Sequence, residues 1–206
     1  QGKARSPHPF ETPLPLFEGE TVVETMPDQT QLTTRYTERA VRFMEEHREQ
    51  PFFIYLAHAM PHVYLHVSDK FKGKSERGLY GDVIMEIDWS VGQIRSALER
   101  LGIDDNTLIV FTSDNGPWIK YGIDGGSAGP LRDGKGSVYE GGMRVPGIFW
   151  WPGQIPSGTR SNEIAANMDL LPTFAELAGV PLSSERFIDG RSLWPLLSGA
   201  SEQGPH

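Results

Sequence analysis

The sequence predicts an α/β fold in which a largely parallel, mixed sheet is flanked by helices, and three observations carry that prediction. Phe52–Ala57, Thr107–Thr112 and Val145–Trp151 are short apolar runs of strand length. Between and after them lie segments whose apolar residues recur every three or four positions, as on one helix face. Their order, strand, helix, strand, loop, strand, helix, is the order of chains that build parallel sheets through crossovers.

Residues 1–30 are rich in Pro, Thr and Glu without a period, which predicts an extended surface segment. From about Thr30 to Glu49, Leu32, Tyr36, Ala40, Phe43 and Met44 share one helical face, and Pro51 stops the helix. Phe52–Ala57 then reads as a strand buried on both faces. A loop with His58, His62 and His66 follows. The clearest period comes next: Tyr80, Ile84, Ile87, Val91, Ile94, Leu98 and Leu101 alternate steps of four and three, and Gly102 is a natural stop. Thr107–Thr112 is a second buried strand running into Ser113-Asp114-Asn115-Gly116. The Gly-rich stretch 116–142 is longer than a structureless loop in a compact domain usually is, so it carries function or disorder. Val145–Trp151 is a third strand, and Asn167–Ala178 a helix ended by Gly179. Ligands of such sheets bind beyond the carboxyl ends of strands, which places Ala57–His62 and Ser113–Gly116 on one rim.

Composition narrows the function. The chain has 206 residues, 38% of them hydrophobic and 22% charged, which suffices for a real core. Its net charge of −8 is dispersed, and so are its basic residues, which argues against nucleic acid as a partner. No apolar run approaches the roughly 20 residues of a membrane span. The N-terminus lacks both a signal-peptide core and an initiator Met, so the chain is expected to begin inside a longer protein. It holds no cysteine, which excludes disulfides, thiolate zinc and any cysteine-derived nucleophile within these residues. No internal repeat or low-complexity linker is present.

Four groups of residues bear chemistry. Asp114 and Asn115 leave a buried strand and precede Gly116; a carboxylate beside an amide oxygen suits Ca²⁺ or Mg²⁺, and the same tripeptide also suits a turn. Two ligands fall short of the six to eight oxygens Ca²⁺ takes, so others must join them. The run Gly129–Ser137 nearly spells a phosphate-binding loop and fails, because Gly136 stands where a hydroxyl should follow the lysine. What survives is Lys135 between glycines, either a ligand for a tetrahedral oxyanion or a flexible surface lysine. His58, His62 and His66 are four apart, yet Pro61 argues against the helix a zinc site would need. One histidine acting on a leaving group is the better use. Glu140 and Arg144 are either a supporting pair or plain surface charges, and Asp104 and Asp105 mark a solvated turn.

Taken together, these segments resemble the sulfatase family, in its arylsulfatase A-like branch. The matching words are Pro51–Ala57 leading to Pro61-His62, Tyr80-Gly81-Asp82, and Phe111–Pro117. Gly134–Ser137 with Tyr139–Arg144, Trp151-Pro152-Gly153, Met168–Thr173 and Asp189–Leu193 complete the set. The match covers about residues 31–198, in family order, with 1–30 as an extended segment and 199–206 as a tail. The resemblance implies a partial catalytic domain of alkaline-phosphatase type that hydrolyses sulfate esters. It implies a Ca²⁺ ion, ahead of Mg²⁺, and a formylglycine made from a cysteine that lies outside this chain. Asp114 and Asn115 then supply metal oxygens, while His62 and Lys135 hold the sulfate and assist departure of the alcohol. The substrate expected is a small-molecule or glycan sulfate ester, and the parent protein is expected to be periplasmic, secreted or lysosomal. Two rivals stay open: a phosphoryl-transfer relative, and a non-catalytic module that binds sulfated ligands.

Overall fold

The computed structural model describes residues 13–183 and 185–206, so the first dozen residues of the expected N-terminal segment lie outside it. The chain forms two compact units: residues up to Phe43 with Phe52–Ile94, and Met44–Pro51 with Arg95–His206.

The first unit opens with a hairpin, which corrects the reading of an extended segment. Strands β1 (Pro15–Glu18) and β2 (Thr21–Thr25) pair antiparallel about Gly19, whose φ of 60° suits a residue without Cβ. Most side chains on both strands are exposed, so no apolar alternation announces them. Helix α1 (Leu32–His47) follows a 3₁₀ turn capped by the Asp28 carboxylate, which accepts from the Thr30 amide at 3.0 Å. Arg35 pairs with Glu24 at 2.7 Å and Arg39 with Glu18 at 3.3 Å, which ties the hairpin to the helix.

Phe52–Ala57 has no regular secondary structure and no ladder partner among the described residues, and it is not buried on both faces. Burial alternates instead. Phe53 and Tyr55 are 70% and 84% exposed, whereas Phe52, Ile54 and Leu56 are half-buried. The run is continuous in composition because both faces are apolar, and only one is covered here.

Helix α2 (Gly78–Leu101) confirms the long period and its stop: Gly102 has φ 67°, and the Ile103 amide bonds back to the Leu98 carbonyl. Its buried stripe differs from the apolar one. Ile84 is 41% exposed, whereas Asp82, Glu86 and Ser90 are buried beside Val83 and Ile87. Asp82 accepts from the Gly73 and Ser75 amides at 2.8 and 2.7 Å, and Glu86 from the Ser68 amide at 3.1 Å. Hydrogen bonds therefore rotate the face that sequence hydrophobicity alone would bury.

In the second unit β3 (Ile109–Thr112) and β4 (Gly147–Trp150) pair antiparallel, Ile109 opposite Trp150 and Thr112 opposite Gly147. The α/β class holds, but no parallel ladder occurs among the described residues. The chain between these two strands contains no crossover helix; its only α-helix is the four-residue α3 (Glu140–Met143), so the return is antiparallel. Helix α4 (Leu170–Leu177) ends at Gly179, φ 65°, as expected, and α5 (Trp194–Leu197) follows.

Asp169, fully buried at the start of α4, organises this end of the unit. Its carboxylate accepts from the Ala166 and Arg191 amides at 2.7 and 2.8 Å and from His206 Nε2 at 2.9 Å. Thr173 donates to the Asp169 carbonyl and accepts from the Leu193 amide at 2.8 Å. Burial opposes ionisation of Asp169, but the Arg191 and Ala166 amides and His206 outweigh it and hold the carboxyl below the usual range. A depressed folded-state pKa gives stability that is present above the unfolded value and lost as pH falls through the folded one. Asp169→Asn should therefore cost about 3 kcal/mol at pH 7, by the scale of charged hydrogen bonds. Urea unfolding at pH 7 and pH 3 should show the gap to the parent protein narrowing in acid.

Candidate metal and anion site

In the second unit the end of β3 is clamped from outside the strand. Asn167 accepts from the Thr112 hydroxyl at 3.2 Å and donates to the Ser113 carbonyl at 3.0 Å. The Ser113 hydroxyl lies 3.1 Å from the Asn115 carbonyl and 3.5 Å from an Asp114 carboxylate oxygen. With the turn fixed in this way, Asp114 is presented exposed and Asn115 half-buried.

The Gly-rich stretch is ordered by contacts between backbones. The Gly116 amide donates to the Gly142 carbonyl at 2.9 Å, Lys135 to Pro117 at 2.8 Å, and Gly141 to Arg132 at 2.8 Å. A Cβ at Gly116 would overlap the Gly141 carbonyl, and one at Gly134 the Pro117 carbonyl. Such approaches exclude any larger residue. This packing brings Lys135 onto the segment that carries Asp114 and Asn115, and sets its ammonium 5.0 Å from the centre of the Trp118 ring. Glu140 and Arg144 form an exposed ion pair at 3.2 Å, and Arg132 lies 3.5 Å from the centre of the Tyr139 ring.

As donors, the Asp114 carboxylate and the Asn115 side-chain oxygen suit a hard divalent cation. Among the described residues no group of three or more His, Asp or Glu side chains is placed to hold a metal. The two oxygens thus fit as part of a shell that other residues would complete.

The three histidines belong to the first unit and serve different contacts. His62 is exposed; its Nδ1 lies 2.6 Å from the Val63 carbonyl, which accepts only, so Nδ1 carries a proton. His58 Nε2 lies 3.1 Å from the Ser90 hydroxyl, and its Nδ1 is buried without a hydrogen-bond partner. Burial lowers the His58 pKa, against the opposing pull of Glu86. His66 donates its amide to Met60 Sδ at 3.3 Å.

Sequence reasoning missed Trp118, Asn167, Glu86 and Ser90. Only Asn167 left a signal, as a capping residue type at the head of a helix.

The family model for sulfatases matches residues 4–180. Steryl-sulfatase of Homo sapiens is 46% identical over 180 residues, 85% of this chain and 31% of that protein. N-acetylgalactosamine-6-sulfatase of Mus musculus is 46% identical over 172 residues, 82% of this chain and 33% of that protein. The crystal structure of Ps i-CgsB in complex with k-i-k-neocarrahexaose matches with TM-score 0.83 and 35% identity, over 94% of this chain and 43% of that one. The chain thus spans about a third of the length of the curated relatives it matches. With its strand-end Asp-Asn, its glycine-packed lysine and a match over most of its length, the chain belongs to the sulfatase family.

Proposed function

We propose that these residues form the cation-holding and sulfate-holding side of a sulfate ester hydrolase. The observation that carries the reading is the bond from the Lys135 amide to Pro117, which sets the lysine on the segment that presents Asp114 and Asn115. Relatives named for sterol and amino-sugar sulfates support a sulfate ester as substrate. The metal suited to Asp114 and Asn115 is Ca²⁺, which when bound supplies Lewis-acid polarisation of a sulfuryl oxygen. A cysteine-derived formylglycine is the nucleophile by resemblance, and these 206 residues hold no cysteine to provide it.

The chain's own groups divide the remaining work. Lys135 brings a fixed positive charge to sulfate oxygens whose negative charge persists from ground state to transition state. His62, anchored through Nδ1, delivers a proton from Nε2 to the bridging oxygen as the alcohol leaves.

Four outcomes are expected. The isolated 206-residue chain should hydrolyse no chromogenic aryl sulfate with calcium present, since no nucleophile is available to it. By calorimetry it should bind Ca²⁺ at about millimolar or weaker, as a site of few ligands does, and lose that binding in Asp114→Ala. In the full-length enzyme, Lys135→Ala should raise KM and lower kcat together, because the charge acts on both states. His62→Ala should lower kcat by about 10²–10⁴-fold, and less for acidic phenols that leave without protonation. An equal loss on every phenol would sink the acid role of His62.

A further inference from the structure

The loop that displays His62 is anchored at both ends to one turn of α2. At its start His58 Nε2 meets the Ser90 hydroxyl at 3.1 Å; at its end the Ser68 amide donates to the Glu86 carboxylate at 3.1 Å. Glu86 and Ser90 are four apart and so lie on one face of the helix. Both are buried, at 1% and 0% exposure. Helix α1 braces the same turn, with the Thr34 hydroxyl 3.3 Å from Glu86 and the Thr37 hydroxyl 2.6 Å from Ser90.

Counting protons gives this chain of groups one direction. Thr37 donates its hydroxyl hydrogen to the Thr33 carbonyl at 2.6 Å, so toward Ser90 it acts as acceptor. Ser90 then spends its only hydrogen on Thr37 and accepts from His58. His58 must therefore carry its proton on Nε2, and the bonds run His58 to Ser90 to Thr37 to the Thr33 carbonyl. Burial favours the neutral ring, which leaves Nδ1 bare, in keeping with its lack of a partner. The polarity of the chain fixes both the position and the flip of the His58 ring.

From His58 the path to His62 is short. The His62 amide donates to the Ala59 carbonyl at 3.3 Å, and Met60 between them is buried at 7% exposure. The turn Ala59–His62 has no regular secondary structure to hold it. We propose that His58 and Ser90 are positioning residues for His62, the polar chain from α1 through α2 setting where that imidazole stands toward the leaving group. This rests on the acid role of His62 given above.

The test uses the full-length enzyme and five variants, Ser90→Ala, His58→Phe, His58→Gln, His62→Ala and the double variant His58→Phe/His62→Ala. Gln keeps an N–H donor near the place of Nε2; Phe does not. Ser90→Ala and His58→Phe should lower kcat for basic phenols by about 10–100-fold, the scale of a misplaced catalytic group, with KM nearly unchanged. The loss should shrink for acidic phenols, recover largely in His58→Gln, and vanish as an added effect in the double variant, since coupled residues are not additive. A loss equal on all phenols, or one that adds fully to His62→Ala, would overturn the proposal. Amide exchange over residues 59–66 supplies a second readout that does not depend on the acid role. It should quicken in Ser90→Ala and His58→Phe and stay slow in His58→Gln. If His62→Ala itself shows no leaving-group dependence, the acid reading fails. In that case unchanged exchange in the first two variants would overturn the positioning as well.

Discussion

The first unit depends on the buried polar stripe of α2. Asp82, Glu86 and Ser90 stand at successive turns of one helix face, and each takes hold of a different part of the chain from His58 to Ser75. Amides of a segment without regular secondary structure must find acceptors, because a buried N–H without one costs about as much as a lost hydrogen bond. Asp82 receives two of them, and bonds from the Ser75 and Gly73 amides keep its carboxyl below the usual range despite burial. Gly81 belongs to the same arrangement. A Cβ there would overlap the Ser75 hydroxyl, so the loop lies directly on the helix backbone. Apolar packing alone would let that loop slide; three directional anchors fix its register.

The second unit solves the same problem without a helix. Between β3 and β4 the chain carries Asp114, Asn115 and Lys135, and it lays two backbone segments against one another. Gly116, Gly134, Gly141 and Gly142 permit the approach, and amide-to-carbonyl bonds hold it. Glycine here serves contact more than flexibility. The residues that bear charge sit at the margins of this rigid core, with Asp114 exposed and Lys135 half-buried. Rigid backbone beneath exposed polar groups is what a site needs when its donors must meet an anion without reorganising.

Periodicity made α1, α2 and α4 legible, and Gly102 and Gly179 marked the ends of two of them, because helix length and capping are local properties. The apolar runs located β3 and β4 but not their direction, which depends on what the intervening chain does. The hairpin β1–β2 left no trace, since its side chains are exposed on both strands. Among the candidate residues, Asp114, Asn115 and Lys135 of the second unit stood out as chemically unusual at a strand end and between glycines, and His62 of the first as a histidine in a loop. Ser90 and Glu86 did not, for a reason that can be stated: polar residues within an amphipathic helix read as solvated, and only the tertiary structure shows that here they face inward. Trp118 was silent in the same way, because a ring beneath an ammonium is a contact between residues far apart in sequence.

That last contact bears on how Lys135 would meet an anion. A cation over an exposed aromatic face is worth about 0.5–1 kcal/mol. Two opposite unit charges 4 Å apart near a protein surface attract by about 4 kcal/mol. The hold of the ring on the ammonium is thus weaker than the pull an anion at such a distance would exert. A lysine without such a support would spread its charge over many rotamers, at an ordering cost of up to about 2 kcal/mol on binding. Trp118 would remove part of that cost beforehand, because the ammonium already lies 5.0 Å from the centre of its ring. The hold is weak enough to release and strong enough to aim. A salt bridge in the same place would have opposed release by an energy comparable to that gained from the sulfate, and an aromatic partner avoids that competition.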